Sequence, residues 1–329
     1  MSMTAFIVAT AIKVIVVVVA ILTGCAYATW LERKFVGRLQ HRIGPNLAGP
    51  FGLLQPIADA IKLAFKEDIV PNRVEKVTYF LAPIVSFIPA MLSFAVIPFG
   101  NTITIMGQQI DMVISDLNIG ILFIFAVTSL GVYGIVLAGW SSGSKYSLLG
   151  GIRSSAQMIS YEIAYGLSII GVLVIAQTLS LKELVAQQEH FFDWYIFRQP
   201  LGFVLFVICG IAETNRSPFD LAEAESELVA GYLTEYSSLR YAMFFIGEYA
   251  NMIAVSSVVT TIFLGGWQGP FLPPVVWFCI KVFLFMAFYV WVRGTLPRIR
   301  YDQLMNLGWK VLFPLALFNV LVTALIYRL

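Results

Sequence analysis

The sequence predicts an all-α polytopic membrane protein: about eight transmembrane helices, an amphipathic helix on the cytoplasmic side, and an acidic loop between the fifth and sixth spans. Three observations predict it. Hydrophobic residues make up 59% of the 329 and charged residues only 12%, with a mean hydropathy of +0.84, outside the soluble globular range. Several apolar runs reach the roughly 20 residues needed to cross a ~30 Å hydrocarbon layer. Backbone polar groups in lipid must be satisfied within their own segment, which favours helices.

Taken in order, the spans fall at 5–30, 77–99, 118–139, 155–177, 199–213, 241–264, 275–292 and 303–327. The first contains Leu22-Thr23-Gly24-Cys25, which looks like a lipoprotein cleavage box. Residues 1–10 carry no Lys or Arg, however, and the run continues to Trp30. It is read as a retained helix rather than a signal peptide. Lys13 is unexpected inside it, and either pairs with a neighbouring protein or marks a later span start.

In the loop that follows, Gln55, Asp59, Lys62 and Lys66 recur at steps of four, three and four, with Leu54, Ile57, Ile61 and Phe65 on the opposite side. That spacing makes an amphipathic helix, and Pro50 and Pro56 suit its start. It either lies on the headgroups or walls a ligand cavity with Asp59 and Lys62. The fifth span, Pro200 to Ala212, is short, ~20 Å at 1.5 Å per residue. Lys281 and Lys310 lie within spans, where long stems let such residues reach the interface. No linker or low-complexity segment interrupts the chain, so residues 1–329 form a single membrane domain.

Basic residues orient the bundle. Arg33, Lys34, Arg38, Arg42, Lys62, Lys66, Arg73 and Lys76 fill the first loop, and Lys145, Arg153, Arg216, Arg240, Arg293, Arg298 and Arg300 fall on the same side. The other side has Lys182, Arg198 and Arg328. The basic side is expected in the cytoplasm, with both termini outside it.

Acids are concentrated between the fifth and sixth spans. Glu213, Asp220, Glu223, Glu225, Glu227 and Glu235 fall within 23 residues. Asp220, Glu223 and Glu227 follow at i, i+3 and i+7, one face of a further helix that Glu225 does not share. Glu162 and Glu248 lie ~13 and ~12 Å inside the fourth and sixth spans by helical rise, a depth comparable with Glu213. Ionisable groups at membrane depth point to function. Burial and mutual repulsion disfavour the charged form of a carboxyl, so such a set can relay protons through intervening water. The plain alternative, that each acid pairs with a neighbouring base to hold the bundle, meets an obstacle: Arg216 is the only base between Glu213 and Arg240.

Other chemistry is thin. Cys25, Cys209 and Cys279 are isolated and form no metal or iron–sulfur spacing. His41 and His190 are the only histidines, and no GxGxxG or P-loop pattern is present. A net charge of +2 without a basic tract gives no reason to expect nucleic acid. No redox cofactor is expected in this chain.

Three stretches carry a resemblance: ATWLERKFVGRLQHRIGPN (28–46), ETNRSPFDLAEAESELVAGYLTEY (213–236) and RGTLPRIRYDQLMNLGWK (293–310). With QPIADAIKLAFKE and SAQMISYEIAYG, they make nearly the whole chain resemble the H-type membrane subunits of respiratory complex I. That complex is the proton-translocating NADH–quinone oxidoreductase, and the family's mitochondrial counterpart is NADH dehydrogenase subunit 1. The resemblance implies a component of the bacterial inner (plasma) membrane that forms much of a chamber for ubiquinone or menaquinone and starts the polar path to antiporter-like pumping subunits. It implies that Glu32, Arg33, Arg42, Asp59 and Lys62 line or gate the chamber, with Arg216 and Phe219 in the loop beside it. By the same likeness, Glu213, Asp220, Glu223, Glu225, Glu227 and Glu235 carry the coupling. Glu162 and Glu248 continue it, and Arg293, Arg298 and Arg300 hold the peripheral arm or the chamber entrance. Flavin and iron–sulfur clusters are expected only in partners: the quinone-site and iron–sulfur subunits of the peripheral arm. Small membrane subunits and the lipid bilayer are the remaining contacts.

Two other functions compete. A related membrane component of a ferredoxin-linked or hydrogenase complex would bind no quinone; the intact LERK…RIGPN loop and the Asp59/Lys62 helix argue against it. An ion-coupled transporter often shows paired broken helices in two halves, and the sequence has no internal repeat.

Overall fold

The computed structural model describes residues 3–105, 108–221 and 225–327. Seven helices in it are long and apolar enough to cross a membrane, and an eighth, shorter apolar helix accompanies them. Each of the eight expected spans contains a helix, though the second ends at Leu92, with a single 3-10 turn to Ala95, short of the expected 99.

The first helix, α1 (Met3–Leu39), runs well past the predicted Trp30, because the amphipathic stretch LERKFVGRL continues the helix beyond the apolar run. Lys13 Nζ donates to Val113 O at 3.3 Å, which ties it to the loop after the second span. Lys13 and Arg33 are twenty residues apart, ~30 Å of helix, enough to cross a hydrocarbon layer. Little of α1 is covered: Ile7, Ile12, Ile15, Val16 and Val19 are exposed.

After a turn at 40–54 comes α2 (Gln55–Phe65), with Pro56 in its first turn. Its Leu54, Ile57, Ile61 and Phe65 side is exposed, while Asp59 turns towards α1. The apolar side faces outward, as on a helix that lies on headgroups; of the polar side Asp59 turns inward, while Lys62 is mostly exposed and neither residue walls the cavity at the end of α1. The next span, α3 (Lys76–Leu92), contains Pro83 and Pro89. Beyond it a two-stranded hairpin, β1 (Ile103–Ile105) and β2 (Gln108–Ile110), pairs Ile103 with Ile110. Hydropathy does not predict this hairpin, and it leaves the helical class unchanged.

Two spans follow, α4 (Gly120–Ser141) and α5 (Lys145–Ala176). A Cβ on Gly134 would lie 2.6 Å from Ser86 N, so glycine there lets α4 lie directly on α3, as small residues do between membrane helices. Short helices α6 (Leu181–Ala186) and α7 (Tyr195–Arg198) lead into the short span α8 (Pro200–Glu213). A single turn of helix, α9 (Glu225–Leu228), interrupts the acidic segment. Then come α10 (Ser238–Phe263) and α11 (Pro274–Thr295). The predicted last span at 303–327 is in three pieces: α12 (Tyr301–Asn306), a π-helical turn at Leu307–Leu312, and α13 (Phe313–Tyr327).

Packing is serial. Helix α3 lies on α4 and α10, α4 on α5, α5 on α8 and α13, and α10 on α1 and α11. One large core includes Phe206, Tyr161 and Phe263. A smaller one, with Tyr79, Tyr232, Tyr236 and Phe244, lies under the end of the acidic segment. Lys281 does not reach an interface as expected. It is buried, and Nζ donates to Leu264 O, Gly266 O and Gln268 O at 2.6, 3.0 and 2.7 Å, satisfying the carbonyls where α10 ends.

Candidate functional site

At the end of the bundle that holds α2, four elements bring charge together. Arg216, just past α8, lies between two carboxylates. Its Nη1 is 3.3 Å from Glu32 Oε2 on α1, and its Nη2 is 3.5 Å from Glu248 Oε2 on α10. The three side chains are only 9, 12 and 14% exposed. The Arg216 guanidinium also lies over the Tyr249 ring, 4.2 Å from its centroid. Tyr249 OH donates to Glu32 Oε2 at 2.7 Å, and Tyr232 OH donates to Glu248 Oε1 at 3.2 Å. Arg293 on α11 pairs with the other Glu32 oxygen. Alternating signs and phenol donors make this arrangement tolerable at depth.

Glu32 also faces a cavity of about 520 Å³, between the end of α1, the turn at 40–45 and the end of α11, a size suited to a small organic ligand. Its walls include Arg33, Arg42 and Arg293. Further along the same α1–α11 seam is an apolar groove of about 530 Å³, between Val16, Leu31, Phe278 and Met286. A polar, net cationic chamber thus adjoins an apolar trough. Arg33 reaches Asp59 at 2.6 Å, and Gln55 Nε2 donates to Asp59 Oδ1 at 3.0 Å, while Lys62 is 3.9 Å from the same carboxylate. Only the Arg33–Asp59 pair crosses from α1 to α2, and neither Asp59 nor Lys62 is among the chamber's walls.

A second acidic centre lies behind the ion network. Glu213 is buried at the end of α8, within electrostatic range of Glu162 on α5. Ser129 OH on α4 donates to Glu162 Oε1. Tyr165, Tyr289 and Cys209 also lie within electrostatic range of Glu213. Its Oε2 is buried with no hydrogen-bond partner among the described residues. Tyr289 joins the two centres, since it also walls a cavity of about 10 Å³ shared with Glu32, Arg216 and Arg293. That is about the room one water takes. A carboxyl so placed can do one simple piece of chemistry, which is to bind and release a proton.

The remaining predicted residues disperse. Asp220 pairs with Arg298 at 3.0 Å and Glu227 with Arg153 at 2.6 Å. The bases that are missing from the acidic segment itself are supplied by α5 and by the segment after α11. Of the helical face expected for Asp220, Glu223 and Glu227, Asp220 lies outside any described helix and Glu227 lies on α9. Asp220 is held by Arg298, and the residues before it by Gln157 on α5. Glu223 lies outside the described residues. The Glu235 carbonyl accepts from Tyr79 OH at 2.6 Å. Phe219 packs inward, 5.6 Å from the Tyr161 ring, and is not among the cavity walls. Arg300 is exposed beside Arg298. Sequence reasoning missed Tyr249, Tyr232, Ser129, Tyr289 and Gln157. The adjacency of Tyr249 to Glu248 was the one available signal.

A family model described as NADH dehydrogenase matches residues 12–324. The chain is 56% identical to the NADH-quinone oxidoreductase H subunit numbered 2 of Geobacter metallireducens, across 99% of this chain and 97% of that protein. Identity to the H subunit numbered 1 of Geobacter sulfurreducens is also 56%, across 96% and 94%. The H subunit numbered 2 of Koribacter versatilis is 52% identical, across 100% and 99%.

Proposed function

Because the chain belongs to the NADH dehydrogenase family, as the H-type membrane subunit of NADH-quinone oxidoreductase (respiratory complex I), we propose that it forms the quinone chamber of that enzyme and begins its proton-coupling path. One observation carries this reading. Glu32 is both a wall of the cationic chamber and a partner of Arg216, the cation at the root of the acidic segment. A change of charge in the chamber therefore acts directly on the segment that holds Glu213.

Reduction of a quinone to quinol consumes two electrons and two protons, so negative charge develops on the headgroup before protons arrive. Electrons come from the flavin and iron–sulfur clusters of partner subunits. A headgroup gaining charge beside Arg33 and Arg293 competes with Asp59 for the first and with Glu32 for the second. Glu32 then shifts its weight towards Arg216, and Arg216 loosens from Glu248. The residues from Glu213 to Asp220 move with it, and water access to the Glu213–Glu162 pair changes. Glu223, Glu225, Glu227 and Glu235 extend the path, and the Pro218–Phe219 step and Gly231 give it room to bend. The apolar α1–α11 groove suits an isoprenoid tail, by chemistry alone.

In this reading the α2 end of the bundle faces the cytoplasm of a bacterium, and both termini lie on the other side of its inner membrane. The exposed Arg298 and Arg300 then meet the peripheral arm. The small and antiporter-like membrane subunits take the lipid-facing helices.

A quinone carrying a photoreactive headgroup tests the chamber. Labelling of peptides spanning 32–45 and 293–294, displaced by excess unlabelled quinone, is expected. Labelling confined to other peptides, or undiminished by competitor, would overturn the assignment.

A further inference from the structure

Gln157 on α5 is completely buried, and its side-chain nitrogen meets three oxygens. Phe219 O is 2.8 Å away, Ala212 O 2.9 Å and Asn215 Oδ1 3.2 Å. All three are acceptors, which fixes the nitrogen rather than the oxygen of the amide towards them. The first two bracket the stretch that contains Glu213 and Arg216. Asn215 is gripped further: Ser154 OH donates to its Oδ1 at 3.4 Å, and its Nδ2 donates to Met158 Sδ at 3.5 Å. Its φ is 49°, a left-handed conformation that asparagine tolerates better than most residues.

The arrangement is overcommitted on one side and idle on the other. A primary amide has two N–H donors, and here three acceptors share them. Gln157 Oε1, on the same amide, is buried with no hydrogen-bond partner among the described residues. A group that is short of donors and holds an unused acceptor has a second arrangement available. If residues 215–219 shift, one carbonyl leaves, and the idle oxygen can take a backbone N–H that the shift uncovers. Discrete alternatives of this kind, rather than gradual deformation, are what packed interiors use to switch.

We propose that Gln157 is a positioning residue for proton coupling, a latch that fixes the Ala212–Phe219 backbone and so sets Glu213 relative to Arg216. It touches neither quinone nor a reacting proton. It acts through the segment it holds, and the proposal rests on the reading that this segment couples quinone reduction to proton movement. The segment has separate fastenings on its far side, where Ile299 N donates to Pro218 O at 3.2 Å and Arg298 pairs with Asp220. Loss of the latch therefore loosens the α5 side without freeing the whole segment.

The test is Gln157→Met in the intact complex, a replacement of similar length with no donor. Two quantities are read on the assembled fraction: quinone reduction, and protons translocated per quinone reduced. Fewer protons per quinone, with reduction retained, is the expected result. A general packing defect would lower the amount of complex and leave that ratio alone, so an unchanged ratio overturns the latch. Should the variant not assemble, hydrogen exchange on the unaltered complex decides. Amides of Asn215, Phe219 and Leu221 are expected to exchange faster during turnover than at rest. Protection that stays constant through turnover overturns the proposal. If Glu213→Gln abolishes pumping while both latch readouts stay flat, only the latch fails. If Glu213→Gln leaves pumping intact, the coupling reading beneath it fails.

Discussion

Replacing Arg216 with methionine strips the cation between Glu32 and Glu248 and leaves two carboxylates in a nearly dry site. All three side chains are below 15% exposed, so little solvent screening is available. Removing one partner of a buried pair costs about 3–5 kcal/mol, because the partner's charge is left uncompensated. Loss of the guanidinium over the Tyr249 ring adds about 0.5–2 kcal/mol. Arg293 and the two phenols remain to hold the acids, which offsets that addition and keeps the expected total at about 3–5 kcal/mol. The effect is local, so the assay is hydrogen exchange of the backbone amides of Asn215, Phe219 and Leu221, which bond to Ala212 O, Arg216 O and Phe219 O. If opening of this segment controls their exchange, a loss of that size speeds it by roughly a hundred- to several-thousand-fold, at about 1.4 kcal/mol per factor of ten. Adding Glu248→Gln to Arg216→Met removes one stranded charge and should recover part of the protection. Exchange within about a factor of three of the parent, or a double variant as labile as the sum of its parts, would refute the buried network.

Other variants separate surface from core. Arg33→Met should leave stability almost unchanged, within about 1 kcal/mol, since Arg33 is half exposed; the quinone KM should rise several-fold in steady-state assays. Lys281→Met orphans three carbonyls at the end of α10 and should cost about 1–3 kcal/mol, seen as less assembled complex on native gels with normal turnover per complex. Gly210→Ala drives a Cβ to 2.8 Å from Val255 Cγ1, overpacking worth about 1–3 kcal/mol, read as a lower thermal inactivation temperature.

The spans were legible because hydropathy reports burial in lipid directly, and every expected apolar run became a helix. Their ends were less legible. Helix α1 continues to Leu39 through residues that an apolar window excludes, and α5 begins at Lys145 for the same reason. Charge partners were the least legible part. Asp220 meets a base 78 residues away, Glu227 one 74 away, and Arg216 a carboxylate 184 away. Counting bases inside the acidic segment could not find these. The helical spacing does not extend back to Asp220, which lies outside any described helix and pairs with Arg298. Gln157 gave no signal at all, since one buried glutamine in a span looks like any other polar interruption.

The most direct test of coupling is Glu213→Gln in a complex shown to be fully assembled, with NADH-driven quinone reduction and proton pumping measured on the same membranes. Glutamine keeps the shape and gives up the exchangeable proton, so pumping should fall to near background, with or without quinone reduction. Full reduction together with full pumping would contradict a coupling role for the buried acid pair and leave those glutamates holding helices together.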